Sequence, residues 1–437
     1  MKKGWKQELI ARSRQPALWG ELLVILAFVS LTFFTPLGEA RVAVHTSFDG
    51  TTAFFAPLFV AGFLLLLREM KITTPPLLIL PLARLSLFFF TGLILAVGAA
   101  ILLEQLSMTL LSMTTFLFFF NYPGAKQLFR RALTAFAFTV SVQIIVCVIG
   151  LGSHYDKNGV LAGIGRSNYA ATFLLIAITF LLFYSANRIE IGVLILSVIA
   201  LVLTMSSGAF LALFVIGCIW YGGKLARKPK LYLLILAGIV IVIVLIAVLS
   251  TQVNVFYRLT RPISSKLKSF FSGNYDGATS SRLSLYRYSL SSIGRHPVFG
   301  SIVNVNDVDA NTRFEGGRTH NLILESLLLY GIVGTLINAL IVFEIVRRAR
   351  KLVPTRPGRR TLIFVCLAMV LHGFVEPNFF TVPFEIFVWS TLALLVSPHP
   401  AEDDPIWNGK RLNAEPAVTE VSVEETSDAP VAEKTDA

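Results

Sequence analysis

The feature that most constrains this chain is a succession of apolar blocks running from residue 17 to residue 397. They fall at 17–35, 51–67, 84–103, 106–120, 132–152, 168–184, 189–205, 207–222, 231–250, 322–346, 361–377 and 379–397. Crossing a bilayer takes about 20 consecutive apolar residues of helix, and most of these blocks are of that order. The pattern predicts an all-α polytopic membrane protein with about twelve transmembrane helices. The short block at 106–120 and the break at Ser206–Gly208 leave room for broken or re-entrant helices. Composition agrees: 55% of the residues are hydrophobic and 15% charged, where a soluble domain has roughly 45–50% and 25%.

The net charge is +12. In a soluble protein that would suggest nucleic acid, but in a membrane protein Lys and Arg collect in cytoplasmic loops. Arg68 and Lys71, then Lys126, Arg130 and Arg131, then Arg188, then Lys224, Arg227, Lys228 and Lys230 fall on alternate connections. The dense stretch from Arg347 to Arg360 continues the alternation, and Arg84 is counted on the same side. Both termini are therefore expected in the cytoplasm, and nucleic acid is not an expected partner. The basic N-terminus meets the first block without a small-residue cleavage site, which predicts a retained helix rather than a signal peptide. Cys147, Cys218 and Cys366 all lie in apolar blocks, without Cys-x-x-Cys or Cys/His spacing. They read as small core residues, so neither a metal nor a cofactor is expected.

Residues 398–437 differ: ten Asp and Glu stand against three Lys and Arg, with almost no apolar clusters. Such a segment cannot bury enough surface to offset its ordering entropy, and a disordered cytoplasmic tail is expected. The organisation is then a cytoplasmic N-terminus (1–16), helices one to nine (17–250), one large extracytoplasmic loop (251–320), helices ten to twelve (321–397) and the tail.

The loop at 251–320 is expected to be partly helical. Phe256, Leu259, Ile263, Leu267 and Phe270 step by three or four, an interfacial apolar stripe interrupted by Pro262. Leu283, Tyr286, Leu290 and Ile293 repeat the step, with Ser281 as N-cap and Gly294 and Pro297 as the stop. The loop carries nine basic residues against four acids. Arginine binds phosphate oxygens bidentately and stays charged when partly desolvated, and on an outer leaflet the phosphate ligands are headgroups and lipid-linked diphosphates. The alternative is that a long loop translocates regardless of charge and these residues only touch headgroups.

Gly316-Gly317-Arg318-Thr319-His320-Asn321 runs into the tenth helix. His320 is a candidate general base for a hydroxyl nucleophile, with the two glycines letting backbone approach a ligand. Asn321 reads as an N-cap and Glu325 as a first-turn acid favoured by the helix dipole. Five positions separate His320 from Glu325, about 140° around a helix, so the two do not share a face. Asp307-x-Asp309, in an Asn-rich loop, reads as a turn rather than a metal motif. His372 and Glu376 lie four apart within or at the end of the eleventh helix, where an ionisable residue is a functional candidate by default.

Thr319-His320-Asn321-Leu-Ile-Leu-Glu325-x5-Gly331-x2-Gly334 resembles the signature of the O-antigen ligase and polymerase superfamily. Ser281-Arg282 followed by His296-Pro297-x2-Gly300 is similar to the element preceding it, and Gly165-x2-Asn168 and Ser206-Ser207-Gly208 are similar to earlier markers. The resemblance implies a fold like that of the SEDS peptidoglycan polymerases. It also implies metal-independent transfer of a glycan from undecaprenyl diphosphate to a hydroxyl on a glycan, the lipid A core or a protein. It puts the loop histidine on His320 and the diphosphate-binding arginines on Arg282, Arg258 and Arg261. Many members have Ser-Arg-Gly where this chain has Ser206-Ser207-Gly208; Arg166 and Arg318 are left to replace that arginine. Asn321, Glu325, Gly331 and Gly334 are then supporting residues. The expectation is an O-antigen ligase-like glycosyltransferase of the bacterial inner membrane, with its site on the outer face. The alternatives are a polymerase of the same superfamily and, in a different class, a lipid-linked glycan transporter.

Overall fold

A computed structural model of the chain describes residues 16–33, 50–94, 99–151, 161–162, 165–185, 187–225, 264–266, 268–278, 282–300, 321–352, 359–374 and 381–398. Helices account for nearly all of them: α1 (Pro16–Ser30), α2 (Gly50–Leu66), α3 (Ile79–Ile94), α4 (Ala99–Asn121), α5 (Ala125–Leu151), α6 (Ser167–Tyr184), α7 (Arg188–Leu203) and α8 (Ser207–Leu225). After these come α9 (Tyr275–Ala278), α10 (Arg282–Arg295), α11 (Leu322–Leu352), α12 (Arg359–Gly373) and α13 (Val382–Val396). The all-α expectation needs one small amendment. Leu161–Ala162 pairs antiparallel with Gly165–Arg166, and this two-residue ladder leads directly into α6.

Among the described residues, four stretches are long and apolar enough to cross a membrane by length and composition: Pro76–Ile94, α5, α6 and Leu322–Lys351. The expected block at 231–250 and the acidic tail lie outside the described residues. The third helix starts earlier than its apolar pattern suggests. Pro75 is extended and Pro76 opens a 3-10 turn that passes into α3; a proline lacks the N–H that a first turn leaves unpaired anyway. As a result Arg84, read from the sequence as part of a cytoplasmic connection, is buried in the middle of the Pro76–Ile94 stretch.

The core is aromatic. Phe28, Phe55, Phe59, Phe116, Phe118, Phe119, Phe129, Phe136, Phe173, Phe180, Phe384 and Phe387 are fully buried. Phe387 of α13 meets Phe28 at 5.3 Å, Phe136 at 4.9 Å and Phe173 at 5.3 Å between ring centroids, all steeply inclined. Edge-on pairs of this kind contribute about 0.5–1.5 kcal/mol each beyond burial. That matters in a bilayer, where helices gain little from leaving lipid and associate through packing. α6 is the central helix, buried on nearly every face against α5, α7, α8 and α12. The outward faces of α5, α7, α8 and α11 carry Ile149, Ile189, Leu211, Phe214, Leu336 and Phe343, all exposed. An apolar exterior of that extent suits lipid rather than water.

Candidate active site

α10 ends where the sequence places a stop. The His296 N–H reaches the Ile293 carbonyl at 3.1 Å and the Gly300 N–H reaches His296 O at 3.1 Å, closing a turn over residues 296–300. This turn docks into a break in α11. Gly331 has φ 62° and ψ −166°, values open essentially to glycine alone, and Gly300 has φ 77°. The break deprives Ile332 and Val333 of helical acceptors, and the turn supplies replacements: Pro297 O at 2.9 Å and Val298 O at 3.1 Å. The two glycines face each other so closely that a Cβ on Gly331 would stand 2.3 Å from Val298 O, and one on Gly300 2.5 Å from Leu329 O. The spacings His296-Pro297-x2-Gly300 and Gly331-x2-Gly334 are thus two halves of one backbone joint.

The joint folds α11 back on itself. The Ser326 hydroxyl lies 3.1 Å from that of Thr335 and accepts the Asn338 amide N–H at 3.0 Å. In a straight helix residues 326 and 338 would be about 18 Å apart. α11 is therefore a short arm (322–330) and a long arm (332–352), and the uninterrupted tenth helix expected from hydropathy is corrected to this hairpin-like pair. At the head of the short arm the Asn321 side chain accepts the N–H groups of Ile323 (3.0 Å) and Leu324 (3.2 Å), an N-cap. Glu325 is buried rather than facing water at the helix start.

Tyr330, the residue before the break, is buried. A Cβ on Gly334 would lie 2.3 Å from Tyr330 Cβ, so the glycine makes room for that side chain. The Tyr330 hydroxyl donates to Gln105 of α4 at 3.4 Å, and the Arg84 guanidinium stands 5.6 Å from its ring centroid. Arg84 also donates to Asn338 Oδ1 at 3.2 Å and lies 3.9 Å from the Glu385 carboxylate of α13, which itself accepts the Trp389 indole N–H. The charges of Arg84, Glu385 and Glu325 all act on Tyr330. A buried arginine paired with the Glu385 carboxylate thus ties α3 and α13 to both arms of α11, and the Tyr330–Gln105 bond adds α4.

A second polar group surrounds the head of α10. Arg282 is half-buried there, and its positive charge acts on Lys266 and on His372 of α12. Burial first, and the Arg282 charge second, hold the Lys266 ammonium below the usual lysine range. His372 is buried, with Nδ1 2.9 Å from the Thr172 hydroxyl of α6. One turn earlier on α6, the Tyr169 hydroxyl meets that of Thr381 at 2.9 Å, just ahead of α13. The N-terminal ends of α6 and α13 and the C-terminal end of α12 therefore converge. Arg166, in β2 immediately before α6, enters by its backbone at the same end. Arg282 and Lys266 supply positive charge near the head of α10, and such groups can hold a polyanion.

Among the residues singled out from sequence, the structure thus gathers Arg282 with His372, and Gly331 and Gly334 with Glu325. His320, Arg258, Arg261, Arg318 and Glu376 lie outside the described residues. The Ser206-Ser207-Gly208 marker runs from the tight connection after α7, where Met205 has φ 52°, into the first turn of α8. Arg84, Glu385, Tyr330 and Asn338 were not singled out. The available signal was an arginine and a glutamate within apolar blocks, concealed for Arg84 by a helix start placed at 84.

Residues 192–339 match the family model described as O-antigen ligase. This match, over about a third of the chain, supports the O-antigen ligase and polymerase superfamily. The stretch matched to the O-antigen ligase family begins in α7, includes α10 and the Gly300–Gly331 joint, and ends just past Asn338. Arg84, Gln105 and Glu385 lie outside it. No curated protein matches the chain.

Proposed function

We propose that this protein is an O-antigen ligase-type glycosyltransferase of the bacterial plasma membrane. It spans the bilayer about twelve times with both termini in the cytoplasm, and moves a glycan from undecaprenyl diphosphate to an acceptor hydroxyl at the outer face. The acceptor oxygen attacks the anomeric carbon as the bond to the diphosphate breaks, so configuration inverts. His320 takes the hydroxyl proton, and the electron pair of the broken bond leaves on the diphosphate. Arg282, with Arg258, Arg261, Arg318 and Arg166, offsets the charge that develops on that leaving group. Preorganised guanidinium groups in a partly dry site can do this without a cation, while holding both substrates at the membrane surface supplies the orientation.

The observation that carries this reading is the half-buried Arg282 at the head of α10, with its charge acting on Lys266 and His372, inside a stretch that matches the O-antigen ligase family. The test is reconstitution in proteoliposomes with a labelled undecaprenyl-diphosphate glycan and candidate acceptors. Acceptor-dependent release of undecaprenyl diphosphate, lost in His320→Ala and Arg282→Ala, is the expected result. Release that both variants leave unchanged refutes the site, and intact lipid-linked glycan crossing the bilayer without transfer points to a transporter.

A further inference from the structure

The polar cluster around Arg84 is remote in sequence from the family signature yet grips the helix that the signature opens. We infer that Arg84 is a positioning residue, which holds the short arm of α11 folded back and thereby fixes the head of that arm, where Asn321 follows His320. The inference rests on the transferase reading above only for its consequence in catalysis; the positioning itself is a geometric claim.

Three contacts carry it. Arg84 Nη1 donates to Asn338 Oδ1 (3.2 Å), the Asn338 amide donates to Ser326 Oγ (3.0 Å), and Ser326 Oγ meets Thr335 Oγ1 (3.1 Å). This chain of bonds runs from α3 through the long arm to the short arm and closes the angle between them. The same guanidinium stands over Tyr330 at the joint and is held in place by Glu385 (3.9 Å). Arg84 therefore touches the long arm by a hydrogen bond and the joint by its ring contact, and only arginine's fork can serve both while facing a carboxylate. Without it, the Ser326–Thr335 and Asn338–Ser326 bonds still join the arms, but Asn338 loses the donor that orients its amide and the pair is no longer anchored to α3.

An arginine at the middle of an apolar stretch is costly to retain, and its partners are all on elements that meet α11. A general stability role would be met as well by an apolar side chain packed among apolar neighbours. What the arginine adds is a defined angle. A displacement of about 1 Å at a reacting group can reduce turnover about 100-fold while leaving substrate affinity intact.

The experiment places spin labels at Ile323 and Leu340, both exposed on the arms, in full-length protein in nanodiscs. A straight helix would separate these positions by about 25 Å of rise, whereas the folded-back arms hold them much closer. The variants are Arg84→Met, which leaves Glu385 without its cation, and the double variant Arg84→Met/Glu385→Gln, which removes the uncompensated carboxylate and keeps the fold. Wild type is expected to give one short, narrow distance. The double variant, with an unfolding midpoint near that of wild type, is expected to give a longer or broadened distribution. In the transfer assay it should lose about 10–100-fold in kcat with donor KM changed less than about twofold. A distance distribution identical to wild type overturns the inference, as does a double variant that fails to fold, which would make Arg84 a stability residue. A raised KM at unchanged kcat also overturns it. If the distances shift as expected while His320→Ala and Arg282→Ala keep full transfer, the transferase site assignment fails and the positioning stands.

Discussion

Gly331→Ala tests the backbone joint on which the site is built. The substitution asks alanine to adopt φ 62° and ψ −166°, a region that costs a non-glycine residue about 1–3 kcal/mol. Its methyl group would stand 2.3 Å from Val298 O and 2.4 Å from the Gly300 N, both backbone atoms with no side-chain freedom to yield. Relief comes only by driving the 296–300 turn out of the break. That sacrifices the bonds from Ile332 N to Pro297 O and from Val333 N to Val298 O, each worth about 0.5–1.5 kcal/mol. Together the loss is about 2–6 kcal/mol. Gly294→Ala is the matched control: it lies within α10, with nothing inside 4 Å of an added Cβ, and an alanine there is neutral or up to about 1 kcal/mol stabilising. Unfolding midpoints and refolding from denaturant in detergent measure the pair. A Gly331→Ala protein as stable as the Gly294→Ala control would refute the joint.

Other consequences follow from the same contacts. Thr172→Val removes the hydroxyl bonded to buried His372 Nδ1 at 2.9 Å and should cost about 1–3 kcal/mol, read as a lowered unfolding midpoint; no change would show that the ring has another way to satisfy that nitrogen. Glu190 is buried against Arg130 at 3.2 Å, so Arg130→Ala, which takes this cation from a buried carboxylate, should destabilise more than the double variant Arg130→Ala/Glu190→Gln; the reverse order in a thermal scan would contradict the pairing. Lys266 titrates below the usual lysine value of 10.5 because it is half-buried and feels the Arg282 charge. Its charge is therefore lost at a lower pH than an ordinary lysine's, and affinity for a diphosphate donor should begin to fall earlier as pH rises. Lys266→Arg should push that fall to higher pH, and an unchanged profile would remove Lys266 from the site.

Much of the helical framework was readable from hydropathy because crossing a bilayer imposes a length and a composition together. The blocks at 51–67, 168–184 and 189–205 and the helices α2, α6 and α7 agree within two residues at either end. The pattern misplaced α3, since the prolines at 75 and 76 begin a helix as readily as they interrupt one. It also misread α11: apolar residues continue without pause through Tyr330-Gly331-Ile332, and hydropathy does not register a backbone reversal. The glycine spacing did register it, although its meaning depends on a partner turn thirty positions earlier. Arg282 could be named from its motif, but its electrostatic relation to His372 could not, because ninety residues separate them and only the folded chain brings the two charges within reach of each other. Arg84 was hidden for the opposite reason: a single arginine at the edge of an apolar block looks like an ordinary topological charge.

The proposed roles of His320 and Arg282 are separable within one turnover. With a labelled undecaprenyl-diphosphate glycan bound to the reconstituted protein, single-turnover transfer to added acceptor separates binding from chemistry. His320→Ala should bind the donor with near wild-type affinity and transfer it at least about 100-fold more slowly, while Arg282→Ala should also weaken donor binding. Transfer at the wild-type rate in both variants would contradict the account.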